Sequence, residues 1–253
     1  MTGPIEGVLF DIDDTLVDTR SAFAVAMAAV AGEYLPHLPQ DRYDEVLATW
    51  RRDAGGHYRA YIRGEVPFRE QRHVRANELQ SLFGGAPVAD EDFEAWDAVF
   101  ESAFEDGWAP HEDAHPAVEA IAGAGLAVGA LSNAASGYQK RKLERTGLAH
   151  VPMLVGVDTL GVGKPDPSCF LEGCRRLGTR PSRTAYIGDE LDVDALGAVR
   201  AGLLGVWIDR PGARRATISE VTIAGAQREG VAIIGSLAEL PGLLGVGSIG
   251  HAR

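Results

Sequence analysis

The sequence predicts an α/β fold, a parallel-sheet core domain with an inserted all-helical domain. Three observations carry this. Short apolar runs without polar interruption recur along the chain, as expected of strands buried on both faces. Helical patterns separate these runs, which is the alternation of a sheet with helices on both sides. From about Thr19 to Asp106 the rhythm breaks, and only helical patterns remain.

The first strand is Val8–Phe10. The insertion then reads as helices at Ser21–Tyr34, Arg42–Arg52, Phe68–Phe83 and Glu91–Phe104. Turn signals at Pro36, Gly55-Gly56, Gly64 and Gly84-Gly85 part them. Further strands follow at Ala127–Leu131, Ala185–Ile187 and Gly205–Ile208, with weaker ones at Met153–Val155 and Val231–Ile234. Residues 1–18 and 107–253 are therefore assigned to the core, and residues 19–106 to the helical domain. A helical block between the first two strands is expected to act as a lid over the strand ends. The Gly-rich end, Gly242 to Arg253, is expected to fray.

The most informative segment follows the first strand. Asp11, Asp13 and Asp14 place three carboxylates within four residues at the end of a buried run. Such carboxylates are costly unless something positive sits beside them, and a hard divalent cation prefers oxygen ligands. Asp11 and Asp13 would face opposite ways on an extended strand, so a turn must bring them around one ion. Ser132 and Asn133 end the second strand, Gly188 and Asp189 end the Ala185–Ile187 strand, and Lys164 lies in the loop Gly161–Pro167. Ligands of open parallel sheets bind outside the carboxyl ends of the strands. A hydroxyl, a lysine and several carboxylates around a metal make a phosphoryl-transfer constellation.

Asp-x-Asp-x-Thr-Leu, Leu-Ser-Asn, Lys-Pro-Asp-Pro and Gly-Asp-x-x-x-x-Asp occur in that order. The chain thereby resembles the haloacid dehalogenase-like hydrolase superfamily from Gly7 to roughly Gly212, with a helical cap domain in the first insertion position of a Rossmann-like core. The resemblance implies that Asp11 is the nucleophile, forming an aspartyl-phosphate, and that Asp13 is the general acid and base. It implies magnesium held by Asp11, the Asp13 main-chain carbonyl and Asp189. Ser132 and Asn133 would bind phosphoryl oxygens, Lys164 would neutralise them, and Asp194 would orient the metal site or Lys164. Elementary chemistry agrees: a carboxylate attacking a phosphate monoester needs its charge repulsion relieved, and the leaving alkoxide needs a proton. Glu190 departs from the small hydroxyl residue often found there in the family.

Other readings compete at several positions. Asp14 is better read as a turn residue, and Asp166, before Pro167, as a helix N-cap. Asp194 would equally suit the first turn of a helix over Leu191–Arg200. His111-Glu112-Asp113-Ala114-His115 fits a zinc-protease pattern, but Pro116 disfavours helix at His115, so a loop before a helix at Ala117–Ala124 is expected. Gly245–Gly250 fits a dinucleotide pattern with no room for a following helix. Arg69, Arg72 and Arg75 on one helix, with Arg59 and Arg63, read as a solvated face paired with Glu65, Glu70 and Glu78.

Composition limits the partners. The net charge of −12, from 36 acids against 24 bases, argues against nucleic acid or an anionic membrane surface, but not against a small phosphorylated substrate. Lysine occurs only at positions 140, 142 and 164, so each is informative. Cys169 and Cys174 lie five apart on different faces of one helix, giving no disulfide framework and fitting a reducing, cytoplasmic setting. No signal peptide or membrane-spanning run is evident. The leading expectation is a magnesium-dependent phosphatase. A 2-haloacid dehalogenase would need neither Asp13 nor Asp189. A phosphonate hydrolase would need a cap lysine, and none precedes Lys140. A sugar-phosphate mutase shares every core residue. A silent binding protein is disfavoured by the intact Asp11, Asp13, Lys164 and Asp189. The sequence does not give the oligomeric state.

Overall fold

The computed structural model describes residues 4–212 and 218–246. Two compact units form: Met1–Asp18 with Pro110–Arg253, and Thr19–Ala109. The second boundary lies three residues beyond the one read from sequence. Trp108 packs edge-on against Phe104, which keeps this stretch with the helices.

The core unit is built on six parallel strands: β1 (Gly7–Phe10), β2 (Ala127–Leu131), β3 (Met153–Val155), β4 (Thr184–Gly188), β5 (Leu204–Ile208) and β6 (Ala232–Ile234). Their order is β3-β2-β1-β4-β5-β6, the Rossmann order. β1 is central, with Val8 opposite Val128 of β2 and Ala185 of β4. Because side chains alternate along a strand, Val8 and Phe10 face one way and Leu9 the other. The first face packs with Val118 and Ile121 of α6 (Ala114–Gly123) and Leu240 of α12 (Leu240–Leu243). The second packs with Phe170 and Cys174 of α9 (Pro167–Leu177). Remaining helices are α7 (Ser136–Arg145), α8 (Val157–Leu160), α10 (Leu196–Arg200) and α11 (Glu220–Glu229). Both cysteines are free and buried, and Asp166 caps α9 by accepting from Ser168 N at 2.9 Å. No helix among the described residues is long and apolar enough to cross a membrane.

Two expectations change. α6 begins at Ala114, so His115 is helical despite the proline after it. Pro116 falls in the first turn, where its missing N–H breaks no intrahelical bond. His111 precedes the helix, so the two histidines do not form a helical zinc pair. At the other end, Leu240–Leu243 is helical, so Gly242 lies within an ordered turn, whereas Gly247–Arg253, with most of the glycine pattern there, lie outside the described residues.

The helical unit comprises α1 (Thr19–Tyr34), α2 (Tyr43–Arg52), α3 (His57–Ile62), α4 (Phe68–Phe83) and α5 (Phe93–Asp106). Its centre is aromatic: Trp50, Trp96 and Phe100 are buried together, with Trp50 5.2 Å from Phe100. The arginines on α4 have structural partners, as expected, but chiefly on other elements. Arg69 pairs with Asp90 and Glu94, and the buried Arg72 pairs with Asp97 and Glu101. Arg75 lies 4.0 Å over the Trp50 ring and donates to Trp50 O at 2.7 Å. Arg72 and Arg75 are thus packed within the unit and not a solvated face. A cavity of about 700 Å³, lined by Trp50, Asp53, Arg75, Glu78 and Leu82 among others, lies in this unit.

Both linkers between the units are fastened in the core unit. Val17 forms an antiparallel bridge with Pro110, and His111 N donates to Leu16 O at 2.9 Å. Arg210, after β5, donates to Thr15 O and makes a two-pronged pair with Asp113. Asp113 also accepts from Ser236 Oγ and Leu237 N. Burial alone would raise the Asp113 pKa, but the bonds from Arg210 and Ser236 hold it down at about 2. A depressed carboxylate stabilises the fold above its unfolded pKa and loses that effect as pH falls through the folded value. Asp113→Asn is therefore expected to cost roughly 2 kcal/mol at pH 7 and much less at pH 2, read by urea unfolding at both pH values.

Candidate active site

The carboxyl ends of β1, β2 and β4 converge with the loop before α9. Asp11 continues β1, its N–H bonded to Ile187 O at 2.8 Å, so its carboxyl is fixed by sheet register. Lys164 is buried and donates from Nζ to Asp11 Oδ1 at 2.7 Å, Asp194 Oδ1 at 2.7 Å and the Tyr186 hydroxyl at 2.6 Å. All three ammonium hydrogens have acceptors. The Tyr186 hydroxyl in turn donates to Asp194 Oδ1 at 3.2 Å.

Asp194 sits in a π-helical turn, Leu191–Ala195, and its Oδ2 accepts from Glu190 N at 2.9 Å. Such turns are frequent at functional sites. A Cβ on Gly188 would lie 2.3 Å from Asp194 Cγ, far inside contact distance, so this carboxylate reaches its place only beside a glycine. Position 190 serves the site through its main-chain N–H. Asp189 is held by its carbonyl, which accepts from Trp207 Nε1 at 2.8 Å.

The electrostatics follow from burial. Asp11 is pushed up to about 7, first by desolvation, with Asp194 and Asp13 adding repulsion against the pull of Lys164. Desolvation would lower Lys164, but Asp11 and Asp194 hold it well above its usual value. Asp11, Asp189 and Asp194 each offer a carboxylate oxygen, all within 4.8 Å of one another. When ionised, the three clustered carboxylates of Asp11, Asp189 and Asp194 face one ammonium group, that of Lys164. The surplus of two negative charges and the all-oxygen donor set suit one hard divalent cation.

Asp13 turns away from that cluster. Its carboxylate accepts from Gln139 Nε2 at 2.6 Å and from Lys142 Nζ, both on α7. Asp14 shapes the turn after it, with φ 57° and its N–H bonded to Val17 O. Ser132 Oγ accepts from Gln139 Nε2 at 2.8 Å and Ala134 N at 3.2 Å. The Asn133 side chain is engaged with the Lys164 main chain, accepting from its N–H at 2.6 Å and donating to its C=O at 3.0 Å. Its amide thus fixes the lysine loop.

Sequence reasoning missed Gln139, Lys142 and Tyr186. Lysine scarcity marked Lys142 as informative but did not assign it. Tyr186, inside the apolar run Ala185–Ile187, gave no signal beyond its polar tip.

A sequence model described as haloacid dehalogenase-like hydrolase matches residues 5–202. A glyceraldehyde 3-phosphate phosphatase of Methanopyrus kandleri is 30% identical over 213 residues, covering 81% of this chain and 84% of its own. A ribulose-1,5-bisphosphate 5-phosphatase of Halopiger xanaduensis is 27% identical over 94% of this chain and 98% of its own. Among solved structures, the HAD-hydrolase YfnB of Bacillus subtilis, bound to magnesium, superposes with a TM-score of 0.72 at 22% identity, over 96% of this chain and 99% of its own. Motif order, sheet topology and these matches agree, and the chain belongs to the haloacid dehalogenase-like hydrolases.

Proposed function

We propose that this hydrolase is a magnesium-dependent phosphatase of a small phosphorylated metabolite, acting through an aspartyl-phosphate on Asp11. The observation that carries the reading is the buried Asp11 carboxylate, held 2.7 Å from Lys164 Nζ beside the carboxylates of Asp189 and Asp194. Magnesium, held by Asp11, Asp189 and the Asp13 carbonyl with Asp194 beside them, would supply Lewis-acid neutralisation of phosphoryl charge. An Asp11 oxygen attacks phosphorus as the ester P–O bond breaks, and the Asp13 carboxyl gives its proton to the leaving oxygen. Water then attacks the acyl phosphate, Asp13 takes its proton, and phosphate leaves with Asp11 restored. Lys164 neutralises equatorial oxygens, Ser132 donates to one of them, and Asn133 holds the lysine loop in place.

The phosphatase names of the two relatives support a phosphate monoester over a haloacid. Release of phosphate from an aryl phosphate is expected with magnesium, to vanish with excess chelator and to return on adding magnesium back. A panel of phosphorylated metabolites assayed the same way then gives the substrate. Undiminished turnover in chelator would overturn the metal assignment. Halide release from 2-chloropropionate without phosphatase activity would overturn the reaction class, and phosphoryl transfer to a second sugar hydroxyl in place of water would move the reading to a mutase.

A further inference from the structure

α7 reads Ser-Gly-Tyr-Gln-Lys-Arg-Lys-Leu-Glu-Arg, and its buried residues are Gln139, Lys142 and Leu143. Gln139 is 0% exposed and Lys142 1%. An inward helical face ordinarily carries apolar residues, and burying an amide and an ammonium there costs several kcal/mol unless they are paired. Here they are three apart, hence on one face, and both end on the Asp13 carboxylate. A carboxylate only accepts, so Gln139 must present its NH₂ to Asp13, which fixes the orientation of the amide.

The same nitrogen donates to Ser132 Oγ, which also accepts from Ala134 N. A hydroxyl oxygen with two donors aimed at it has filled its lone pairs and keeps only its own proton to give. Ser132 is thereby set as a donor, suited to a ligand atom that only accepts, such as a phosphoryl oxygen. Gln139 Oε1 is buried with no partner in the described structure.

Resting on the phosphatase reading, we infer that Gln139 and Lys142 are positioning residues: together they fix the direction of the Asp13 carboxyl and, through the shared Gln139 nitrogen, orient the Ser132 hydroxyl as a phosphoryl donor. They would act through Asp13 and Ser132 without touching substrate. The two residues then separate in effect. Lys142 serves the proton carrier, whereas Gln139 serves both the proton carrier and the phosphoryl oxygen.

The test compares Lys142→Met, Lys142→Arg and Gln139→Met with wild type on an alkyl phosphate and an aryl phosphate, with magnesium throughout. For Lys142→Met, kcat on the alkyl ester is expected to fall about 10- to 100-fold with KM within about twofold, because protonation of a poor leaving group is the step that needs Asp13 aimed. The aryl ester needs little protonation, so its burst of phenol should slow much less. Lys142→Arg should recover most of the loss. Gln139→Met should also weaken inhibition by inorganic phosphate by about tenfold, the worth of one hydrogen bond. Equal losses on both esters without rescue by arginine, or wild-type rates in Lys142→Met, would overturn the inference. A readout independent of turnover accompanies these. In chelator, the urea midpoint shifts of Asp13→Asn and Lys142→Met should fall short of adding in the double variant, since both remove one contact; additive shifts would overturn the clamp. A wild type inactive on both esters would overturn the phosphatase reading, and the stability cycle would still judge the clamp.

Discussion

Asp11→Asn is expected to abolish turnover of every ester the wild type accepts, by on the order of 10⁴-fold or more, and yet to stabilise the metal-free protein at pH 8. An asparagine amide has nearly the carboxylate's shape but is a far poorer nucleophile. The stability gain follows from the raised Asp11 pKa of about 7, against 3.8 ordinarily. A carboxyl raised on folding favours the folded state while protonated, and this advantage disappears as pH rises from its unfolded value through about 7. Above that, wild type carries an ionised carboxylate among Asp13 and Asp194, which the variant lacks. The full shift would correspond to about 4 kcal/mol, and loss of the bond from Lys164 reduces the gain to on the order of 2 kcal/mol. Urea unfolding in chelator should show the gain at pH 8 and little at pH 4. Activity within tenfold of wild type would remove Asp11 as nucleophile, and a destabilised variant at pH 8 would contradict the electrostatic account.

Lys164→Met is expected to have the opposite sign on stability. It deletes the ammonium shared by Asp11, Asp194 and the Tyr186 hydroxyl and leaves two buried carboxylates facing each other. Breaking one side of a buried ionic cluster costs about 3–5 kcal/mol. Turnover should fall at least about 100-fold, because equatorial phosphoryl charge loses its fixed partner. The two losses are separable. On the proposed reading magnesium would neutralise the same carboxylates, so it should raise the melting temperature of the variant more than that of wild type while activity stays low. An equal magnesium shift in both proteins would mean that Lys164 and the cation do not share the Asp11–Asp194 charge.

The sheet was legible because burial leaves a direct mark: all six apolar runs read from sequence are strands, with ends displaced by at most a residue or so. The residues at strand ends were legible for a similar reason, since Asp11, Ser132 and Asp189 are polar groups where an apolar run stops. Gln139 and Lys142 carry no such mark. α7 has Leu143 as the single aliphatic residue on its inward face, which shows where the helix packs but not that a polar Gln139 and Lys142 are buried beside it. Only the fold, by placing Asp13 opposite, distinguishes them from Lys140 and Arg141. Tyr186 was hidden the other way, counted as one more apolar residue of β4 although its hydroxyl reaches Lys164. The arginines of α4 were read as a solvated face paired with near neighbours in sequence, whereas Arg72 is buried against Asp97 and Glu101 of α5 and Arg75 packs on Trp50 of α2, partners that only the fold brings near.

The Val17–Pro110 bridge has a consequence for the length of the helical segment. β1 and β2 pair residue for residue, Gly7 with Ala127 through Phe10 with Ala130, across the whole helical segment. Because the chain departs and returns side by side, the length and sequence of the segment between do not enter the register of the sheet. An independently packed insert also turns a closure across some ninety residues into the joining of two adjacent ends, and closure entropy grows only logarithmically with length, by about 0.6 kcal/mol per doubling. A change of length within residues 19–109 therefore carries little cost in closing the sheet. The sheet thus sets no length for what it carries between its first two strands: the pairing of Gly7–Phe10 with Ala127–Ala130 is the same whatever number of residues lies between.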